Sequence, residues 1–197
     1  LGARSLAGNH LDVRQELSDS RANIFIGGLG GGTATALLPE LAKISRSLGV
    51  LTIVVATKPF KYEGIQKTVA AKRKIHSLFR SADSVFMINN ESIVSESTAI
   101  SAAEAVKRSD ASLVETIEGI LGFLVSRKRL LLDFGAVKGQ LTRGGLSAFA
   151  CGISAMRNNA IEALKAAIDR FAQVKCDITK APGALIQFST DDDVLMD

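Results

Sequence analysis

Three short runs of apolar residues punctuate the first half of the chain: Asn23–Gly27, Leu51–Ala56 and Ser84–Ile88. Each is continuous rather than alternating. That pattern suits strands covered by helices on both faces. Helical periodicity fills the intervals. Leu37, Leu41, Ile44 and Leu48 recur at helical spacing and stop at Gly49. A second pattern runs from Ile65 to Arg80 and turns Ile65, Val69, Ile75, Leu78 and Phe79 inward. The order strand, helix, strand, helix, strand predicts an α/β fold with a parallel sheet and right-handed crossovers.

A long helix is predicted next, over 98–127. Its inward row is Ala99, Ala103, Val106, Asp110, Leu113, Ile117, Ile120 and Leu124. Asp110 breaks the row, because a buried carboxylate needs a partner. The alternative is a helix surface there, with Asp110 in water. Beyond this helix the texture changes to the glycine-punctuated "LLLDFGAVKGQLTRGGLSAFACGISA". A further helix places Ile161, Leu164, Ile168 and Phe171 on one face, and "GALIQFST" (183–190) reads as a strand. A second, smaller α+β domain is expected from about Thr142. It looks unfinished, because one helix and two strands bury little area.

Composition narrows the class. The chain has 197 residues, 47% hydrophobic and 22% charged, enough to bury a core. No apolar run approaches the roughly 20 residues that cross a bilayer, and "LGARSLAGNH" has no apolar signal core. A soluble intracellular protein is expected. Cys151 and Cys176 form no CxxC, and His10 and His76 stand apart, so no zinc site is expected. The chain opens on Leu1, which suggests a fragment, a trimmed chain or a processed product. Net charge is +4 with a pI near 9.2. The cations cluster in "AKRKIHSLFR" (71–80) and "SRKR" (126–129). Either stretch reads as a solvated helix face or as a polyanion site. Poor aromatic interleaving and the lack of an RNA-binding signature leave nucleic acid unexpected.

The sharpest feature is the loop "GGLGGGT" after the first run, five glycines in the six positions Gly27–Gly32. A strand ends there and a helix begins, so free amides and the helix dipole favour an anion. Thr33 and Thr35 can cap the helix or bond phosphate oxygens. The competing reading is a tight structural turn. The lysine of GxxxxGK[ST] is missing, GxGxxG fails at Thr33 or Thr35, and no acid ends the second strand to hold a ribose.

"GGLGGGTATALLPELA" followed by "LTIVVATKPFKYEG" resembles the FtsZ family, the bacterial relatives of tubulin. Weaker matches extend this over nearly the whole chain: residues 1–9, "ADSVFMINNESI", "ETIEGILGFL", "LDFGAVKGQL" and "PGALIQFS". The resemblance implies a Rossmann-like three-layer GTPase domain with the start of a second α+β domain. Residues 1–128 would be a partial nucleotide-binding domain including the central helix. Residues 129–197 would be a catalytic-type loop and a partial C-terminal domain.

The resemblance also implies GTP or GDP as ligand, with Mg2+ as a companion ion. It maps phosphate contacts onto Gly30, Gly31, Gly32, Thr33 and Ala34, beside Thr35. It maps sugar contacts onto Glu63 and Lys67, and the base contact onto Asp110, whose two acceptor oxygens suit the guanine N1 and N2 donors. The family usually has arginine at position 67 and asparagine at position 110. Its hydrolytic loop, NxDxxD, acts on the nucleotide of the neighbouring subunit. Here Asp133 is kept as the catalytic residue, but Leu131 and Ala136 replace the asparagine and the second aspartate. Losing such a group costs about 10²–10⁴ in rate, so hydrolysis is left open. Further phosphate loops are expected upstream of Leu1.

Self-association into filaments, or co-assembly with another FtsZ, is implied, with other division proteins as partners. Membrane contact is expected only indirectly, in the cytoplasm at the division site. The alternative reading is a non-hydrolysing FtsZ-like interaction protein with a degenerate nucleotide site.

Overall fold

The computed structural model describes residues 10–95, 100–125, 133–142, 145–154, 159–173 and 177–188. Helix α1 (His10–Ser18) leads into β1 (Ala22–Gly28), α2 (Gly32–Ser47) and β2 (Leu51–Lys58). A 3₁₀ turn (Lys61–Glu63) opens α3 (Ile65–Ser81), followed by β3 (Ser84–Asn89) and the short α4 (Asn90–Ser95). The long α5 (Ala102–Val125), α6 (Phe134–Leu141), β4 (Leu146–Ser147) and α7 (Ala160–Gln173) complete the regular elements of the described residues, with a second 3₁₀ turn at Ile178–Lys180.

The strands form one parallel sheet in the order β1-β2-β3-β4. In register, Ile24 lies beside Ile53, and Val55 beside Phe86. The first six residues of β2 are all buried, as a central strand covered on both faces requires. Alternate residues feed separate cores. Val54 and Ala56 join Leu38, Ala42, Ala71, Leu78 and Val85 under α2 and α3. Leu51, Ile53 and Val55 join Phe86, Ile88 and Ile120, against Leu113, Ile117, Leu124, Phe134 and Leu141 of α5 and α6. The three layers of the expected α/β architecture are thus present. β1 lies at one end of this sheet, and its residues are half-buried apart from the exposed Ile26 and Gly28.

Several helical rows sit one position away from the expected ones. In α2 the buried row is Thr35, Leu38, Ala42 and Ser45; of the expected row Ile44 is buried, while Leu37, Leu41 and the C-cap Leu48 are half-buried. The two rows adjoin, and both are largely apolar. Ser45 is buried because its hydroxyl bonds Thr52 Oγ1 at 2.7 Å and accepts from Asn23 Nδ2 at 2.9 Å. In α3 the last turns pack as expected through Ile75, Leu78 and Phe79, but Ile65 is 82% exposed and Val69 39%.

In α5, Leu113, Ile117, Ile120 and Leu124 cover the sheet, while Ala103, Val106 and Asp110 are exposed. The first turns bury Ala105 and Ser109 instead. Ser109 Oγ donates to Asn90 Oδ1 at 2.8 Å, so the polar edge of the helix is turned toward α4. Ala99 lies outside the described residues. The expected strand at 183–190 does not form over 183–188, and 189–190 lie outside the described residues. A strand needs a hydrogen-bonded neighbour, and none of the described residues pairs with this segment.

Beyond α6 the chain is tied back to α5. Phe149 enters the second core and presses on Gly119, where any side chain would overlap its ring. Arg170 Nη1 meets Glu115 at 2.6 Å and donates to the Cys151 carbonyl at 2.8 Å. In α7, Leu164 and Phe171 are half-buried, whereas Ile161 and Ile168 face outward.

Candidate functional site

The glycine loop follows β1 at the C-terminal edge of the sheet, the edge where open α/β sheets collect ligands. Leu29 is buried and its amide donates to the Thr57 carbonyl at 2.9 Å, so the loop departs from a fixed point. Gly30 takes φ +101, a conformation that a Cβ disfavours. A Cβ there would lie 3.0 Å from both Lys67 Cβ and the Lys67 carbonyl oxygen. The loop is therefore seated against the first turns of α3.

Gly31 caps α2 without a side-chain hydrogen bond, and Gly31 and Gly32 have open space on their Cβ side. The first amides of a 16-residue helix thus lack a side-chain cap. The Thr33 side chain is exposed. Ala34 turns its methyl into the core beside Gly27, leaving only its amide for a ligand. Thr35, expected to cap the helix or bond phosphate oxygens, turns its side chain inward. It is buried, and its Oγ1 accepts the Gly30 amide at 2.8 Å, closing the loop on itself.

Glu63 and Lys67 stand one helical turn apart beside Gly30. Lys67 Nζ meets Glu63 Oε2 at 2.9 Å, and Glu63 Oε1 accepts the Phe60 amide at 2.9 Å. Burial pushes the Glu63 carboxyl up. The Lys67 hydrogen bond, the Phe60 amide and the Lys67 charge together outweigh it and hold the carboxyl below its ordinary value. Gly64, at φ +106, then turns the chain into α3.

Asp110 projects from the exposed side of α5, and among the described residues no side chain pairs with its carboxylate. The premise of a buried charge is therefore corrected: Asp110 is solvated because the buried edge of α5 passes through Ser109. The Ser109–Asn90 bond still fixes its place, since Asn90 directly follows β3. Gly30–Thr35, Glu63–Lys67 and Asp110 thus follow β1, β2 and β3 around one edge of the sheet.

Asp133 lies at the opposite edge. It caps α6, its Oδ2 accepting the Gly135 amide at 3.1 Å. The adjoining residues are fastened to the N-terminal ends of the strands. Lys138 Nζ donates to the Gly49 carbonyl at 2.9 Å, and the Arg21 guanidinium lies 4.1 Å from the centre of the Phe134 ring. β2 alone separates the two edges by about 26 Å. Asp133 and the glycine loop of one molecule cannot meet. Ala136 is exposed in the first turn of α6, and Leu131 lies outside the described residues.

Sequence reasoning missed the pins between neighbouring loops. Glu91 accepts the Lys61 amide at 2.7 Å and pairs with Lys61 Nζ at 3.3 Å. Glu91 thus joins the loop after β2 to α4, the helix that follows β3. Such contacts leave no periodic signal, and only the apposition of "TKPFKYEG" and "INNES" could have raised them. Among the described residues no group of three or more His, Cys, Asp or Glu side chains is arranged for a metal ion.

Comparison with known proteins gives a consistent set of relatives. The family described as Tubulin/FtsZ family, GTPase domain, matches residues 1–98. Cell division protein FtsZ 1 of Pyrococcus horikoshii is 30% identical over 189 residues, covering 96% of this chain and 50% of that protein. Cell division protein FtsZ of Helicobacter pylori is 33% identical over 158 residues, covering 80% and 41%. The chain spans about half the length of the curated relatives it matches. Among solved structures, an empty FtsZ dimer from M. jannaschii superposes with a TM-score of 0.78 at 28% identity, covering 85% of this chain and 49% of that one. CetZ2 from Haloferax volcanii, a GTPγS-bound protofilament, gives 0.57 at 25% identity, covering 74% and 43%.

Proposed function

The chain belongs to the tubulin/FtsZ family, and from that premise we propose that it is part of an FtsZ-like cell-division protein that binds a guanine nucleotide and assembles head to tail. The observation that carries this reading is the division of the site between two opposite edges of one sheet. Neither edge suffices alone. A loop edge of one molecule placed against the Asp133 edge of the next completes it, and a heterologous contact of that kind propagates into a filament. Relatives solved as a dimer and as a protofilament support association of this sort.

At the loop edge, the amides of Gly31, Gly32, Thr33 and Ala34 donate to phosphate oxygens, in the field of the α2 dipole. The Thr33 hydroxyl adds a donor, while Thr35 holds the loop shape. Lys67 brings its cation to the sugar-phosphate side, oriented by Glu63. Asp110 accepts from the guanine N1 and N2 donors. Mg2+ would be held chiefly by the phosphates themselves, as Mg2+ usually is at phosphate sites.

Asp133, brought by a neighbour, would orient the attacking water toward the terminal phosphate. With Ala136 in place of a second acid, hydrolysis is slow relative to binding. The cell-division names of the relatives support a reading in which it acts in the cytoplasm at the division site.

Calorimetric titration with GTP, GDP and ATP tests the reading. Guanine-selective binding, weakened by Lys67→Ala, is expected. Equal affinity for ATP, or no nucleotide bound, would overturn it.

A further inference from the structure

One helical layer of this protein carries a local excess of positive charge. Helices α2 and α3 together carry seven cations against the single carboxylate Glu40. The whole chain is only +4, so everything outside these two helices is net negative. The 17-residue α3 contains Lys67, Lys72, Arg73, Lys74 and Arg80 and no acid at all. Lys67 is taken by Glu63, and Arg46 of α2 by Asp83 at 3.2 Å. Among the described residues no carboxylate pairs with Lys43, Lys72, Arg73 or Lys74. An ordinary solvated helix offsets such a run with acids one turn away; this one does not.

The outward side of α3 is not purely polar. Ile65, Val69, Lys72, His76 and Arg80 recur at intervals of three and four, and so share one face. The residues 82% and 39% exposed, Ile65 and Val69, form its apolar end. Tyr62, 60% exposed and stacked on Phe60, stands beside that end, as does Lys61. The face thus runs from an aromatic-aliphatic tip to a basic body, which α2 broadens with Lys43.

We infer that the outer surface of α2 and α3 is a docking face for an anionic lipid surface. Charge complementarity calls for a polyanion, and the aliphatic tip selects among polyanions. A phosphodiester backbone offers nothing for Ile65 and Val69 to bury against. An acidic bilayer presents headgroup charge to Lys72, Arg73 and Arg80, and an acyl boundary to Ile65 and Val69, with Tyr62 at the level between them. The cations are spread over two neighbouring helices rather than ringed around a pocket, which suits an extended plane. The contact is peripheral, since no described helix is long and apolar enough to cross a membrane. It does not depend on the nucleotide reading, because it leaves the glycine loop, Glu63 and Asp110 out.

The test is co-sedimentation of the full chain, without nucleotide, with vesicles of phosphatidylcholine alone and with about one-third phosphatidylserine. Binding to the acidic vesicles only, weakening with added salt, is expected. Each cation near such a surface is worth roughly fivefold in affinity. Joint replacement Lys72→Gln, Arg73→Gln and Arg80→Gln should therefore weaken binding about a hundredfold. Lys72→Arg should not. Ile65→Ser, at a solvent-exposed position, should cost roughly tenfold. Helical circular dichroism confirms that each variant is folded.

Failure to bind acidic vesicles at low salt overturns the inference. So does an Ile65→Ser variant that binds them as the parent does, or a duplex oligonucleotide or polyglutamate bound in their place. Loss of guanine binding by calorimetry with vesicle binding intact would strike the proposed function alone.

Discussion

Replacing Gly30 by alanine separates a built loop from an incidental turn. Two costs follow from the geometry. The backbone φ of +101 is one that a side chain rarely tolerates, which costs about 1–3 kcal/mol. The added methyl would lie 3.0 Å from the Lys67 carbonyl oxygen and 3.2 Å from Pro59 Cγ. The carbonyl belongs to a helix and cannot rotate aside, so overpacking adds a cost of about 1–3 kcal/mol. The two overlap, because any shift of the loop relaxes both, and a total of about 2–4 kcal/mol is expected. With a urea m-value of roughly 2 kcal/mol/M, the unfolding midpoint falls by about 1–2 M. Gly31 is the internal control. Its φ of −78 and ψ of 163 suit any residue, and nothing lies within 4 Å of its would-be Cβ. Gly31→Ala should stay within about 0.5 kcal/mol of the parent. Urea titrations followed by far-ultraviolet dichroism read both. A Gly30→Ala midpoint close to the parent's, or an equal loss in Gly31→Ala, would refute this account of the loop.

Asp110→Ala should weaken GTP binding and leave the urea midpoint unchanged, because the side chain is solvated and unpaired; calorimetry showing equal GTP affinity removes the base contact. Ala136→Asp places a second acid on the exposed first turn of α6, one turn from Asp133, and should raise phosphate release from GTP by at least about 10²-fold if water positioning is what the site lacks. The folded Glu63 carboxyl sits below its unfolded value. Its contribution is therefore present above the ordinary carboxylate range and is lost as pH falls through it. Because the pair is partly exposed, the effect is about 0.3–0.5 kcal/mol. The parent and Glu63→Gln, compared from pH 7 to pH 3 by thermal unfolding, should differ in slope only at the acid end.

The strands β1, β2 and β3 were legible because a doubly covered strand writes its burial as an unbroken apolar run. β4 was not, since Leu146–Ser147 is two residues long and is held by its neighbour β3, not by its own composition. The helices were legible as helices but not in their rotation. In α2 the choice between Leu37–Leu41 and Leu38–Ala42 rests on Ser45, which counts as polar in a pattern yet is buried by Asn23 and Thr52. In α5 the misreading of Asp110 has the same origin, because Ser109 is drawn inward by Asn90, a residue 19 positions away. The candidate site divides likewise. Gly30 and the loop carried a strong local signal. The roles of Thr35 as a strut and Asp133 as a helix cap came only from distances.

The uneven placement of charge gives the molecule a property that its pI hides. α2 and α3 sit on one side of the sheet with their excess of cations. α5, on the other side, carries Glu104, Asp110, Glu115 and Glu118 against Lys107 and Arg108. Among the described residues, α2 and α3 on one side and α5 on the other thus carry net charge of opposite sign. Near an anionic plane this difference favours an orientation with α2 and α3 toward the plane. Ion-exchange media of either sign would each capture it by a different face. The face left outward on a cation exchanger is the one that carries Asp110.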